Sequence, residues 1–110
     1  MATQTLKVLA QLNPAATTLT TLYTVPGATT AAVSSIVICN QAASDATFRI
    51  SVAIAGAADN AKQYLYYDTT VNANDSFVAT IGSTLGAADV VRAYASTTTL
   101  SFVAFGAENT

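Results

Sequence analysis

Along most of this chain, apolar and polar side chains alternate one for one, which is the signature of β-strands with one face buried. From Thr5 to Leu12 the alternation puts Leu6, Val8, Ala10 and Leu12 on one face. A second short strand, Leu19 to Val25, ends at Pro26-Gly27, a turn pair in which proline fixes one dihedral and glycine accepts positive φ. The third, Ala31 to Asn40, is apolar on both sides, with Val33, Val37 and Cys39 on one face and Ile36 and Ile38 on the other. A strand of that kind belongs at the centre of a sheet or beneath a second protein surface, and the pattern makes Cys39 a core residue.

The polar loop Gln41 to Asp45 leads into ATFRISVAIA, where Phe48, Ile50, Val52 and Ile54 oppose Thr47, Arg49 and Ser51. GAADNA interrupts the pattern at Gly56 to Ala61. KQYLYYDTTV then sets Tyr64, Tyr66 and Asp68 against Leu65 and Tyr67. After the turn cluster Asn72 to Asp75, SFVATIG aligns Phe77, Ala79 and Ile81. Val90 to Ala95 alternates again, and the last strand opposes Leu100, Phe102 and Ala104 to Val103 and Phe105. About eight short strands with regular turn signals predict an all-β fold, a single antiparallel β-sandwich of jelly-roll type, with a five- or six-stranded barrel as the competing architecture. Residues 1–16 read as an N-terminal arm or first strand and 17–110 as the sandwich. Helix fits only in short turns, near Asn13 to Thr18 or Gly86 to Asp89. GAAD occurs at 56–59 and again at 86–89; four letters in an alanine-rich chain mark chance or equivalent sandwich corners, not a repeat.

Composition narrows the functions this surface can serve. The 110 residues hold 23 Ala and 18 Thr, with 52% hydrophobic and only 9% charged residues. Alanine favours helix in isolation, but here it is interleaved with Thr, Val, Ser and Ile, which favour a pleated surface. A weakly charged Thr/Ala surface suits packing against neighbours, because few charges need desolvation there. Net charge is −2, and Lys7, Arg49, Lys62 and Arg92 are far apart in sequence, so no basic run offers a footprint for nucleic acid. No apolar stretch reaches the roughly 18 residues of a membrane span, and no signal peptide is visible, so the expectation is a chain made in, and assembling within, a cytoplasm.

The chemistry available is sparse. Histidine is absent, which removes the commonest general base and metal ligand. The one cysteine has neighbours that offer nothing to lower its pKa, so Cys39 reads as packing and not as a nucleophile. Five of the six carboxylates sit in turns or at strand ends, where Asp accepts local backbone hydrogen bonds. Asn72, Asn74 and Asp75 lack calcium-loop spacing, and no phosphate or dinucleotide motif is present. The reading is of a non-enzymatic protein without catalytic, cofactor or metal residues. The residues singled out for contact are Tyr64, Tyr66 and Tyr67, because adjacent tyrosines must face opposite sides and so one leaves the core, together with Leu6 and Val8 of the arm. A rim position in the sandwich and a contact with a neighbouring subunit or a sugar ring are both open for the tyrosines. The arm could add a strand to a neighbour's sheet.

Taken in order, LYTVPGATTAAVSSIVICNQ, DATFRISVAIAG, YLYYDTTVNANDSF, AADVVRAYAS and LSFVAFGAE resemble small virion structural proteins of tailed bacteriophages, including phages of cyanobacteria and marine bacteria. The likeness runs from about Thr21 to Glu108. It departs at Gly27 and Gln41, and basic residues that some members carry after the "FR" strand are missing, which bears on the surface and not the fold. The resemblance implies a β-domain without catalytic residues that forms homo-oligomers, with a trimer favoured, and binds the major capsid protein or other virion proteins. A capsid decoration (cement) protein that stabilises the shell is the first expectation. A tail or baseplate component touching host surface glycan through the Tyr64–Tyr67 strand is the second. A small carbohydrate-acting enzyme is the third, disfavoured by the missing histidine.

Overall fold

A computed structural model describes residues 3–110, and eight strands account for nearly all of its regular structure. They are β1 (Gln4–Leu12), β2 (Thr20–Thr24), β3 (Thr30–Asn40), β4 (Ala46–Ala53), β5 (Tyr64–Val71), β6 (Ser76–Leu85), β7 (Val90–Ala95) and β8 (Leu100–Asn109). One sheet has the order β1-β8-β3-β6 and the other β2-β7-β4-β5. Every pairing between strands is antiparallel. First pairs with last, second with seventh, third with sixth and fourth with fifth, alternately in the two sheets; this is a long hairpin rolled up into a jelly roll. Two separate sheets with four free edges make a sandwich, not a barrel. The arm is part of it, since β1 is an edge strand of the first sheet; Met1 and Ala2, the start of the predicted arm, lie outside the described residues.

The core lies between the sheets and follows the alternation of β4 and β8 most closely. Phe48, Ile50, Leu100 and Phe102 are fully buried, with Ile36, Ile38 and Val33 from β3 and Val91 from β7. Phe48 sits at the centre of an aromatic cluster, with ring centroids 5.3 Å from Phe77, 5.7 Å from Tyr66 and 6.2 Å from Phe102. Tilted and edge-on contacts of this kind suit the ring quadrupoles. Alanine fills inward positions opposite these large rings: Ala79, Ala93, Ala95 and Ala104 are all buried. Eight alanines are buried in all, so part of the alanine excess is core filler that lets the two sheets approach.

Four sequence expectations are corrected. Neither Asn13–Thr18 nor Gly86–Asp89 is helical; the short 3-10 turns are Ile54–Gly56 and Ala61–Gln63. The second is held by an Asn60–Gln63 capping box, in which each side chain bonds the other's backbone N–H. Ile54 leaves the β4 pattern for the first turn and is 77% exposed. Ser51, expected to face solvent, is buried, and its Oγ has no partner within the chain. Cys39 is not a core residue. A register shift between Val33 and Ser35 inserts one residue into β3 against β8, so Val33, Ile36, Ile38 and Asn40 are buried while Val37 and Cys39 face outward, half-buried. A bulge inverts the faces of everything beyond it. That β3 is central does hold, with β8 on one side and β6 on the other.

The two GAAD segments meet at one end of the sandwich. Asp89 accepts from the Gly86 N–H at 2.9 Å, closing its own turn, and from the Ala55 N–H at 2.9 Å, tying down the loop that contains the other copy. At the opposite end, Asn40 gathers three loops. Its Nδ2 donates to the carbonyls of Ser44 at 2.8 Å and Val71 at 3.2 Å, and its Oδ1 accepts from the Ala42 N–H at 3.1 Å and the Thr99 hydroxyl at 3.2 Å. A 1% exposed amide is tolerated there because its donors and acceptor are all used.

Candidate interaction surfaces

The outer face of the first sheet is built from alternate residues of four strands. The ladder registers Val8 with Phe105 and Phe105 with Ser35, and in the next row Val103 with Val37 and Val37 with Val78. Leu6 is 80% exposed, Val78 58%, Val8 48% and Phe105 37%. At the β1 corner, Leu6, Val8, Ala32, Phe105 and Ala107 line a shallow groove. Gln4, Lys7, Ser34 and Gly106 complete its lining.

Two charged side chains lie on the strands of this sheet: Glu108, turned inward to the other sheet, and Lys7 at the β1 edge, which lines the groove and stays exposed while it pairs with Glu108. Tyr23 of the other sheet donates a hydrogen bond to Glu108 Oε2, and Lys7 Nζ is 3.1 Å from Oε1. The Tyr23 hydrogen bond, then Lys7, holds the Glu108 carboxyl below the usual glutamate range. Burial, then the adjoining carboxylate, pushes the Tyr23 phenol up. A face of this size with exposed apolar groups and only Lys7, at its β1 rim, as a charge is unusual for a lone domain and marks a contact surface.

Close packing shapes this face from beneath. A Cβ on Gly106 would lie 1.9 Å from the Ala32 carbonyl oxygen, so glycine is required where the β3 bulge presses against β8. The same bulge lets the Ser34 hydroxyl donate to the Phe105 carbonyl at 3.0 Å.

The outer face of the second sheet is different in kind. Arg49, between the buried Phe48 and Ile50, projects outward with its guanidinium 4.1 Å from the Tyr67 ring centroid and 4.2 Å from that of Tyr94. It also donates to both Asp68 oxygens, at 2.7 and 3.3 Å. Tyr64 meets Tyr67 edge-on at 5.2 Å and donates to Asp59 at 3.1 Å. Burial, then the Asp59 hydrogen bond, raises the Tyr64 phenol.

The residues singled out in the sequence thus fall into three places. Leu6 and Val8 lie on the outer face of the first sheet. Tyr64 and Tyr67 lie on the opposite side of the molecule. Tyr66 packs inward on Phe48 and Phe77. The strict alternation that grouped Tyr64 with Tyr66 fails because β5 spends residues 64–71 against residues 46–51 of β4, with two register shifts. Asp68, at φ 50, marks one of them. Phe105, Val78 and Val103 were missed as contact residues; the signal was present, since all three are apolar residues on the polar phase of otherwise amphipathic strands.

Among the described residues, no group of three His, Cys, Asp or Glu side chains could hold a metal ion, and no helix is long and apolar enough to cross a membrane. No protein-family model matches the chain, and no curated protein is similar to it.

Proposed function

We propose that this chain is a structural protein of a tailed-bacteriophage particle, specifically a capsid decoration protein that binds the major capsid shell and stabilises it, joining the particle in the host cytoplasm. The observation that carries the reading is the outer face of the β1-β8-β3-β6 sheet, uncharged apart from Lys7 at its β1 rim, with Leu6, Val8, Val78 and Phe105 exposed. Such a face gives up little solvation when covered, and its apolar area is a driving force for assembly. The ordered segments that resemble small virion proteins supply the context of a particle. Jelly rolls serve many functions, so the fold alone adds no more than compatibility.

The test is capsid melting. Shells assembled with and without the protein are compared by scanning calorimetry, and the protein is expected to co-sediment with them and raise their melting temperature. Unchanged melting with no co-sedimentation overturns the reading.

A second reading, a tail or baseplate component that touches host glycan, is favoured by one observation. Tyr67 is 58% exposed beside Tyr64 on the outer face of the second sheet, and flat aromatic surface suits a sugar ring. Locating the protein on the tail in a particle reconstruction would favour it over decoration.

A further inference from the structure

We propose that the outer face of the β1-β8-β3-β6 sheet is where two copies of this chain pair, face to face about a two-fold axis. This rests on the reading of that face as an assembly surface and gives it to a second copy, so that the pair meets the shell through its remaining surface.

Three observations select a second copy. First, charge: the net charge is −2, yet every charged side chain of the described residues lies on the second sheet, in the loops, or in the Lys7–Glu108 ion pair at the β1 edge, where Glu108 is turned inward and Lys7 is exposed at the rim of the face. Pressing two first-sheet faces together leaves the like charges of the copies separated by both sheets' thickness, about 10 Å for each pair of layers, which is near the screening length at physiological salt. A partner with charges on its contact surface would have to strip them of water without finding a counter-charge. The face is complementary to itself.

Second, area: strands of 9, 10, 11 and 10 residues make up the face. At about 4.8 Å between strands and about 3.3 Å per residue, it covers roughly 600 Å² in projection. Its accessible area is larger because side chains project from it, and it approaches the roughly 800 Å² per partner of a stable interface. Third, symmetry: the apolar positions spread over all four strands, from Leu6 and Val8 on one edge to Val78 on the other. A patch that covers a whole face suits an isologous contact, in which each residue serves both copies, and such a contact closes at two. The resemblance to virion proteins favours a trimer; the shape of this face favours a pair.

Sedimentation equilibrium of the purified full chain tests this, with the double variant Leu6→Glu/Val78→Glu and, as a control on the other sheet, Tyr67→Glu. The wild-type chain and the control are expected to be dimers, and the double variant a monomer with the wild type's strand signal in circular dichroism. Opposed like charges in a dry contact cost several kcal/mol, so the dimer dissociation constant should rise by about a hundredfold or more. Wild-type monomers or trimers, or dissociation caused by Tyr67→Glu and not by the double variant, overturn the proposal. Capsid melting reports separately: a monomer that still stabilises shells sinks the pairing and spares the decoration reading, and a dimer with no effect on shells does the reverse.

Discussion

Tyr23 of β2 donates a 2.5 Å hydrogen bond to Glu108 of β8, joining the two sheets at the edge where the sandwich would otherwise open. Lys7 of β1 completes the cluster from the carboxylate's other oxygen. Residues separated by up to 101 positions in sequence thus share one charge.

This cluster predicts a pH dependence with two limbs. Glu108 is held below the usual range by Tyr23 and Lys7, so its contribution is present above the unfolded value of about 4.3 and is lost as pH falls through the lowered folded value. Tyr23 is raised, chiefly by burial; its contribution is complete below the unfolded value of about 10 and is lost as pH rises beyond that toward the folded value. Tyr23→Phe should shrink both limbs, leaving on the alkaline side the part due to Tyr64, whose phenol is also raised. Urea unfolding from acid to alkaline pH checks this, and superimposable wild-type and variant profiles would refute it.

Gly106→Ala should destabilise the fold by about 3 kcal/mol or more, at or beyond the upper end of overpacking costs, because the new methyl would meet the Ala32 carbonyl at 1.9 Å. Gly27→Ala is the control: nothing lies within 4 Å of its Cβ position, and a surface change of this kind should stay within about 0.5 kcal/mol. Chemical denaturation of both variants decides the matter.

Asn40→Ala should cost about 3 kcal/mol, since the buried Val71 carbonyl and neighbouring loop groups lose their partner. The loss should show in amide exchange as faster opening of the loops at 41–45, 72–75 and 96–99, with the β4 and β8 core amides quickened only by the global loss of stability. Unaltered loop exchange would mean that these loops hold themselves.

Arg49→Lys keeps the charge but loses the planar group that lies over Tyr67 and Tyr94 and bonds both Asp68 oxygens. A double-mutant cycle with Tyr67→Leu should return a coupling of about 0.5–1 kcal/mol, typical of an exposed cation–π contact. A coupling of zero would show that the stack is incidental.

The strand pattern was legible in the sequence because side-chain period and solvent exposure are coupled locally. Phe48 and Ile50, or Leu100, Phe102 and Ala104, are inward because a strand between two turns can bury only alternate residues. The outer face of the first sheet was half legible. Leu6 and Val8 signalled it, but the row Val103–Val37–Val78 exists only once β8, β3 and β6 lie side by side. Asn40 gave no signal, because its partners at Val71 and Thr99 are 31 and 59 positions away.

What the sequence alone determined is therefore the all-β class, the strand order along the chain and most of the core, all consequences of nearest-neighbour alternation and turn chemistry. Tertiary structure decided which way Cys39, Tyr64 and Ser51 point, where the charges gather and which face is left bare. Those depend on where one strand spends an extra residue against another, as β3 does at Ser34 against β8 and β5 around Asp68 against β4. A single inserted residue turns over every side chain beyond it, and only the partner strand fixes its place.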